Sequence, residues 1–557
     1  MKIEEIYDRI ESAPLGPVWI SVAPREVSME RARAAEGPLA GLTFAVKDNI
    51  DVAGLPTTAG CPAYAYQPER SATVVERLMK AGAIPIGKTN LDQFATGLVG
   101  TRSPYGACSS VFDERYISGG SSAGSAVAVA GGLVDFALGT DTAGSGRVPA
   151  AFNNIVGLKP SRGLLSTVGV VPACRSLDCV SILARDCEVA RRVFDVARGF
   201  DAVDPFSRVI GVGEDAAPWL GGAFRFGVPA REHLEFFGDE EAEGLYRKAV
   251  GDLEKLGGER LEIDYAIFRE VASLLYSGPW VAERLAAIRE FMESHADEMD
   301  PVVRGIISGA RRYSAVDAFE ADYKLRELRR RSEAEWLKID VMVLPTTGTI
   351  YTHDAVAAEP VGLNTNLGYY TNFVNLMDLA AVAVPAGFRA NRLPFGISLI
   401  GPTFSDEELL SLADFYHRGV EPVGPTGCVS VAVVGAHLSG QPLNWQLTQR
   451  GARLRKACRT AAGYRLYALD GTVPAKPGLV RDLGFVGEGI EVEVWAIPEN
   501  LFGGFVAAVP PPLGIGSVTL YNGDVVKCFI CEGYAIENAT EITSFGGWRN
   551  YLRGSRG

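Results

Sequence analysis

The chain has 557 residues and is acidic, with 67 Asp and Glu against 54 Lys and Arg and a formal net charge of −13. Because proteins bind nucleic acids through clusters of basic residues, this balance argues against a nucleic-acid partner. The first residues lack the apolar core of a signal peptide, and no apolar run approaches the roughly 20 residues that span a membrane. We therefore expect a cytoplasmic protein without membrane contact, and the nine cysteines, an odd number, are typical of reduced thiols.

The length predicts two domains, since a single core rarely serves more than about 250 to 300 residues. A stretch rich in Pro and Gly, 422–427, has the composition of a linker, and the sequence beyond it is rich in strand-forming residues. We predict a first domain over residues 1–427 and a second domain over residues 428–557.

In the first stretch of the chain, residues 40–185, strand patterns alternate with helical patterns. Apolar runs at 42–46 and 83–87 predict strands, and the spacing at 73–80 and 125–130 predicts helices. This alternation favours an α/β fold with helices outside a sheet. Lys47 directly follows the first strand, where burial would disfavour its charge and move it toward the neutral amine that a general base needs.

Two glycine-rich serine clusters follow, 119–125 and 141–147, and their serines Ser121 and Ser145 are 24 positions apart. Small residues let successive backbone N–H groups point at one oxygen, so the second cluster can offer a nucleophile and an oxyanion hole in one loop. A serine hydroxyl attacks a carbonyl only when a neighbouring group takes its proton. With Lys47, the clusters predict a hydrolase that works without histidine.

Other interpretations of these segments stay open from the residues alone. The loops can be ordinary turns, and Lys47 can be a surface side chain. A phosphate-binding loop would need a Gly-Lys-Ser/Thr ending, which neither cluster has. Residues 120–124 also fit the nucleophile elbow of α/β-hydrolases, with Ser122 as nucleophile, but that motif needs a strand immediately before it. The preceding residues, 112–118, are polar and predict a turn.

Three segments resemble the amidase signature family: FAVKDNI, ISGGSSAGSAVAVA and LGTDTAGSGRVPAAFNNIVGLKPSRG. The resemblance implies a large mixed twisted sheet flanked by helices, and it implies no metal or organic cofactor. It also implies a Ser-(cis)Ser-Lys triad, with Ser145 as the nucleophile, Ser121 as the proton relay and Lys47 as the base. The oxyanion donors implied by the family are the backbone amides of Thr142, Ala143, Gly144 and Ser145.

Charged amphipathic helical patterns dominate from about 230 to 340, as at 323–331, and their charges predict a solvent-facing surface. Strand patterns at 340–345, 381–387 and 394–401 then predict a return to the sheet. These later strands also resemble the closing segments of the amidase signature family.

Two further segments, LYSGPWVAER at 275–284 and VVGAHLSGQPLN at 433–444, resemble the allophanate hydrolase family. The first implies that Tyr276 and Arg284 grip the substrate, and an arginine fork does match a planar carboxylate. We expect Pro279 in the first turn of a helix that carries Arg284, with Tyr276 just before it. An ordinary helix stays open as the alternative, with Arg284 paired with Glu283 or facing solvent and Tyr276 packed in the core.

This second resemblance implies hydrolysis of allophanate, which is urea carrying a carboxylate, to ammonia and N-carboxycarbamate, ending in ammonia and carbon dioxide, as a step of urea degradation. The preceding carboxylation would come from a separate urea carboxylase, and we expect a homo-oligomer, a dimer. Two alternatives stay open: another small-amide hydrolase, of the malonamate or indoleacetamide type, and a glutaminase subunit of a tRNA-dependent amidotransferase.

The resemblance of the second domain implies a smaller α+β fold similar to γ-glutamyl cyclotransferase. His437 follows an apolar strand pattern there, and either a structural role or a part in the second decarboxylation stays open. Cys528 and Cys531 form a C-x-x-C pair inside a strand-like run, 525–531. Because no second pair of ligands accompanies them, we expect ordinary strand residues instead of a metal site.

Overall fold

The computed structural model describes residues 3–12, 15–210, 223–418, 428–448, 450 and 452–554. The chain divides into two compact units, Met1–Glu421 and Pro422–Gly557. The predicted domain boundary after residue 427 and the predicted linker fall within 419–427, outside the described residues. That boundary therefore stays a prediction.

The first unit is built on one large mixed sheet. Its strands are β1 Trp19–Val22, β2 Thr43–Lys47, β3 Ile84–Thr89, β4 Ser109–Ser110, β5 Asp113–Ile117, β6 Phe136–Asp141, β7 Val156–Lys159, β8 Cys179–Ala184, β9 Phe224–Pro229, β10 Gly258–Ile263, β11 Val341–Pro345, β12 Ala380–Phe388 and β13 Pro394–Gly401. Within the described residues, eleven of these strands form the sheet in the order β1-β3-β2-β6-β8-β7-β12-β13-β11-β9-β10. Parallel and antiparallel pairs both occur in it.

Helices of the first unit lie on both faces of this sheet and around its loops. They are α1 Ile3–Ser12, α2 Arg25–Arg33, α3 Thr73–Lys80, α4 Ala123–Ala130, α5 Arg147–Phe152, α6 Cys187–Ala197, α7 Glu240–Lys255, α8 Ala266–Ser277, α9 Val281–Ala287, α10 Arg289–His295, α11 Pro301–Ser308, α12 Ala315–Trp336, α13 His353–Ala358, α14 Gly362–Leu367, α15 Phe373–Leu376 and α16 Asp406–Arg418. Short 3-10 turns lie at Pro62–Tyr64, Gln93–Ala95, Arg231–His233, Ala296–Glu298 and Gly309–Arg312.

Strand β2 shows why the apolar runs are continuous. Successive strand residues point to opposite faces, so a strand covered on both sides must be apolar at every position. Phe44 and Val46 pack in the same core as α3 and α6, whereas Ala45 packs with α1 and α4 in a second core. The predicted α/β fold, a large mixed sheet flanked by helices, is confirmed.

One expectation about local structure is wrong. The polar stretch 112–118, predicted to be a turn, contains strand β5, which pairs with β4 in a two-stranded sheet. Pairing with β4 stabilises β5 although, within the strand, only Ile117 at its end is buried, and its charged residue Glu114 is exposed. A pattern of apolar residues could not have revealed such a strand.

The second unit is a smaller α+β domain, as predicted. Its described elements are β14 Cys428–Val433, α17 Trp445–Thr448, β15 Arg453–Arg459, β16 Tyr464–Leu469, β17 Lys476–Arg481, β18 Glu491–Pro498, α18 Glu499–Ala507, β19 Leu513–Thr519, β20 Val525–Cys531, β21 Thr540–Glu541 and α19 Trp548–Gly554, with 3-10 turns at Gly533–Ile536 and Thr543–Phe545. A five-stranded sheet, β15-β18-β14-β20-β19, accompanies a three-stranded one, β17-β16-β21. The expected likeness to γ-glutamyl cyclotransferase stays a prediction.

Cys528 and Cys531 both lie in β20 as free thiols, and Cys528 is buried while Cys531 is half-buried. The described part of the chain contains no group of three or more His, Cys, Asp and Glu side chains placed to hold a metal ion. Among the helices in the described ranges, none combines the length and the apolar character that a membrane crossing requires.

Candidate active site

Lys47 is the last residue of β2, an interior strand of the large sheet between β3 and β6. Because β2 and β6 are parallel, with Val46 opposite Leu138, their carboxyl ends meet at the same edge. Lys47 is fully buried there, and its Nζ donates to Ser121 Oγ at 2.7 Å and to Thr140 Oγ1 at 2.7 Å. Both of these acceptors are neutral hydroxyls.

The environment of Lys47 favours the neutral amine. Burial lowers the pKa of Lys47 to about 7, although the negative charges of Asp92, Asp141 and Asp178 act in the opposite direction. Burial removes water from the ammonium, which destabilises the charged form of a lysine. At neutral pH a large fraction of Lys47 is thus able to accept a proton.

Ser121 lies two residues before the start of helix α4, and the peptide bond between Gly120 and Ser121 is cis, as the family resemblance implied. The Ser121 carbonyl accepts a hydrogen bond from the Asp92 amide at 3.1 Å. Ser121 Oγ is buried and touches Lys47 Nζ. The sequence-based pairing of Lys47 with Ser121 is therefore present in the geometry.

Ser145 lies in the loop between β6 and α5. Its Oγ donates to the Gly97 carbonyl at 3.4 Å, and its own carbonyl accepts from the Ser122 amide at 3.3 Å. The two serine clusters are thus joined through their backbones. To receive help from Lys47, the Ser145 hydroxyl must turn from Gly97 toward Ser121.

The loop before Ser145 carries the predicted oxyanion donors. Within the described residues, the amides of Thr142, Ala143 and Ser145 have no acceptor, so they are available to an incoming oxyanion. The amide of Gly144 differs, because it donates to Asp141 Oδ1 at 2.9 Å. Gly144 has a φ of 129°, and a Cβ there would lie 2.4 Å from Thr371 Oγ1, so only glycine fits.

Two buried carboxylates hold this loop. Asp141 pairs with Arg147 at 2.9 Å, and it also accepts the Gly146 amide at 3.1 Å. Burial by itself raises the pKa of Asp141, but Arg147 and the neighbouring donors bring that pKa below its usual value, so Asp141 is ionised. Asp178 accepts from Thr142 Oγ1 at 2.5 Å.

Arg284 lies in α9, and its side chain is only 3% exposed. Its Nη1 donates to the Ala95 carbonyl at 3.3 Å and to Thr96 Oγ1 at 2.9 Å, and its Nη2 donates to the Tyr276 hydroxyl at 3.3 Å. The guanidinium carbon also lies 5.5 Å from the centroid of the Tyr276 ring. The structure thus brings Tyr276 and Arg284 together. Thr96, which accepts a hydrogen bond from Arg284, directly precedes Gly97, whose carbonyl accepts a hydrogen bond from Ser145 Oγ.

The expected helix bounds around Arg284 are wrong. Tyr276 lies in the last turn of α8 instead of before a helix, and α9 begins at Val281. Pro279 precedes α9 because the entry is a tight turn in which Ala282 donates to the Pro279 carbonyl at 2.8 Å. Among the contacts of the described residues, Arg284 forms no ion pair with Glu283, whose carboxylate accepts from the Ser176 amide at 2.8 Å.

The geometry does not favour a nucleophile elbow. Ser122 is fully buried, and its Oγ donates to the Thr140 carbonyl at 3.1 Å. An elbow nucleophile would instead be exposed at the tip of a sharp turn that follows a central strand. Strand β5 does precede the serine cluster, but it belongs to the two-stranded sheet.

Sequence reasoning missed the polar side chains that support the site. Thr140 and Asp141 lie at the end of a buried strand pattern. A polar residue at such a position can be recognised from the sequence as a candidate site residue. Thr96, Asp178 and Asn375 had no such signal, because each contacts the site from a distant part of the chain. Asn375 Nδ2, for example, donates to the Asp141 carbonyl at 2.7 Å.

His437 lies in the second unit, in the loop after β14. Its Nε2 is 2.9 Å from Gln446 Oε1, and its ring stacks on Phe529 with centroids 4.8 Å apart. Burial lowers the pKa of His437, which keeps the imidazole neutral. A cavity of about 220 Å³ lies against it, lined also by Lys476 and Pro510.

Comparison with known proteins agrees with this architecture. The family model for amidases matches residues 18–410, and the model for the allophanate hydrolase C-terminal domain matches residues 429–553. The fold and these matches define an amidohydrolase. The chain belongs to the amidase family, and the predicted resemblance to allophanate hydrolase in its second unit is confirmed.

The chain is also similar to individual relatives. It is 44% identical to the urea amidolyase of Saccharomyces cerevisiae over 597 residues, covering 99% of this chain and 32% of that protein. The solved structure of Kluyveromyces lactis allophanate hydrolase is 43% identical, with a TM-score of 0.73 and coverage of 100% and 97%. A glutamyl-tRNA(Gln) amidotransferase subunit of Symbiobacterium thermophilum is 37% identical over 447 residues, covering 73% of this chain and 90% of that protein. The chain thus spans about a third of the length of the curated urea amidolyases that it matches.

Proposed function

We propose that this amidohydrolase cleaves allophanate to ammonia and N-carboxycarbamate in urea degradation. The observation that carries the proposal is the position of Arg284. This buried cation is anchored to Thr96, and the next residue, Gly97, accepts the hydrogen bond of Ser145 Oγ. In allophanate the carboxylate carbon is only two bonds from the terminal ureido carbonyl carbon, so its site needs a nucleophile and an anion-binding group close together. The match of the second unit to allophanate hydrolases and the urea amidolyase relatives support the same substrate.

The first half of the reaction forms an acyl-enzyme. Neutral Lys47 accepts the proton of Ser121 Oγ as Ser121 accepts the proton of Ser145 Oγ, which attacks the terminal ureido carbonyl carbon. The carbonyl oxygen becomes an oxyanion that the amides of Thr142, Ala143 and Ser145 stabilise. When the C–N bond breaks, the proton returns through the relay to the leaving nitrogen, and ammonia departs.

The second half hydrolyses the acyl-enzyme. The same relay takes a proton from water, whose oxygen attacks the acyl carbon, and Ser145 Oγ leaves with its proton restored. The product is N-carboxycarbamate, which carries two carboxylates on one nitrogen. Loss of two molecules of carbon dioxide from it, with uptake of two protons from water, releases the second ammonia.

The proposal is tested by ammonia release from purified protein. Allophanate is compared with malonamate, indoleacetamide and simple amides at equal concentrations, and Ser145→Ala serves as the background control. We expect the highest kcat/KM for allophanate. Turnover of allophanate that is no faster than that of the other amides would contradict the proposal and favour a different small-amide hydrolase.

A glutaminase subunit is the second candidate, because the chain is 37% identical to a tRNA-dependent amidotransferase component over 73% of its length. Glutamine also carries a carboxylate that an arginine can bind. Glutamine hydrolysis that exceeds allophanate hydrolysis, or that appears only with added amidotransferase subunits, would select this candidate.

In the second unit, we propose that the cavity beside His437 binds N-carboxycarbamate and accelerates its decarboxylation. The cavity volume of about 220 Å³ suits a molecule of this size, and Lys476 supplies a cation at its wall. His437→Asn should leave the initial ammonia release intact while slowing carbon dioxide release. If both rates stay at the parent level, His437 has a structural role.

The expected partners complete the proposal. We propose that a urea carboxylase supplies allophanate, that the enzyme forms a homodimer, and that it works in the cytoplasm. A coupled assay that starts from urea, ATP, bicarbonate and a urea carboxylase tests the first, and light scattering tests the second.

A further inference from the structure

The loop from Gln93 to Gly97 connects the proposed nucleophile with the proposed anion-binding arginine. Gly97 accepts the hydrogen bond of Ser145 Oγ, and Ala95 and Thr96 accept those of Arg284 Nη1. Phe94 and Ala95 both have positive φ angles, 50° and 52°, which bulky or branched L-residues rarely adopt. Such a conformation turns consecutive polar groups toward the site and persists only where the surroundings hold it.

Thr96 is held in this loop by several hydrogen bonds. It is fully buried, its amide donates to the Gln93 carbonyl at 3.0 Å, and its carbonyl accepts from Arg102 Nη1 at 3.0 Å. Its hydroxyl donates to the Phe94 carbonyl at 3.1 Å. The hydroxyl proton therefore points away from Arg284, and a lone pair of Oγ1 faces the guanidinium.

Because Thr96 Oγ1 is an acceptor for Arg284, it determines which N–H groups of the guanidinium are occupied. A guanidinium carries five N–H groups, two of them on Nη1. The Ala95 carbonyl and Thr96 Oγ1 take both Nη1 hydrogens, and the Tyr276 hydroxyl takes one on Nη2. Within the described residues, the Nε hydrogen and one Nη2 hydrogen of Arg284 have no acceptor, so these two hydrogens remain for a ligand.

We propose that Thr96 is a positioning residue that sets specificity for carboxylate-bearing substrates: its Oγ1 anchors the Nη1 corner of Arg284 and leaves the free Nε and Nη2 hydrogens for binding a carboxylate. The inference rests on the proposed function, since allophanate is the carboxylate that these hydrogens would bind. Thr96 does not touch the reacting atoms. Its effect passes through the orientation of Arg284.

The test compares Thr96→Val, which has the same shape without the hydroxyl, with Thr96→Ser, which keeps the hydroxyl. For allophanate, we expect Thr96→Val to raise KM by about tenfold or more and to change kcat little, because a buried hydrogen bond to a charged group is lost. Thr96→Ser should restore KM to near the parent value. The inactivation rate with an uncharged sulfonyl fluoride reports on Ser145 and its proton relay without a carboxylate for Arg284 to bind, so it should be similar in all three proteins.

Three results would overturn the inference: an unchanged KM in Thr96→Val, a KM in Thr96→Ser as high as that in Thr96→Val, or sulfonyl fluoride inactivation slowed as strongly as allophanate turnover. The last result would assign Thr96 a general role in holding the loop. These outcomes are distinct from failure of the proposed function, which would appear in the parent protein as a lack of preference for allophanate.

Discussion

Ser145 and Arg284 contact the same short loop: Ser145 Oγ donates to the Gly97 carbonyl at 3.4 Å, and Arg284 Nη1 donates to Thr96 Oγ1 at 2.9 Å. The nucleophile and the cation come from elements that are 139 positions apart in the chain, yet adjacent residues hold them. This loop therefore links the position of the group that attacks to the position of the group that binds the anion.

Ser145→Ala should abolish turnover of every amide, because the other hydroxyl of the oxyanion loop, that of Thr142, is held by Asp178. Loss of a serine nucleophile costs about 10⁶-fold in kcat in comparable hydrolases. Ammonia release measures the loss, and circular dichroism checks that the fold is kept. Activity near the parent rate would remove Ser145 from the role of nucleophile.

The pH dependence should follow Lys47. Its pKa of about 7 means that the neutral base is depleted below that pH, so kcat/KM should rise through about pH 7 and level off above it. Lys47→Arg should lower kcat by about 10²- to 10⁴-fold, since an arginine stays charged throughout this range. A flat parent profile from about pH 5.5 to about pH 9, measured with the uncharged amide biuret, would contradict a lysine base.

Arg284→Lys should raise KM for allophanate by about tenfold or more, since an ammonium cannot bind a carboxylate through two parallel hydrogen bonds. For biuret, which has an amide in place of the carboxylate, the change in KM should be much smaller. Initial rates over a range of both substrates give the comparison. Equal changes for the two substrates would show that Arg284 does not recognise the carboxylate.

Arg147→Met should destabilise the first unit, because it leaves Asp141 buried without a counter-charge. Breaking a buried ion pair in this way costs about 3 to 5 kcal/mol. Arg115→Met is the matched control: its ion pair with Asp113 is also short, 2.6 Å, but the Arg115 side chain is 74% exposed. Thermal unfolding should shift strongly for the first variant only, and similar shifts for both would contradict the argument.

Local patterns of apolar residues predicted those strands and helices that are determined by residues close to them in the sequence. The strand expected at 42–46 is β2, Thr43–Lys47, and the helix expected at 73–80 is α3, Thr73–Lys80. Strand β5 was missed because hairpin hydrogen bonds stabilise it, and these leave no apolar pattern. The start of α9 was misplaced because a tight turn separates Pro279 from the helix.

The sequence by itself determined the fold class and nominated Lys47, Ser121 and Ser145, because apolar periodicity and glycine-rich loops are local properties of the chain. Only the tertiary structure showed that Thr140 is a close partner of Lys47 beside the expected Ser121, that Asp141 occupies the Gly144 amide, and that Thr96 holds Arg284. The physical reason is that these contacts depend on the register of parallel strands and on loop conformations. Both are set by packing between segments far apart in the chain, which no short pattern of residues records.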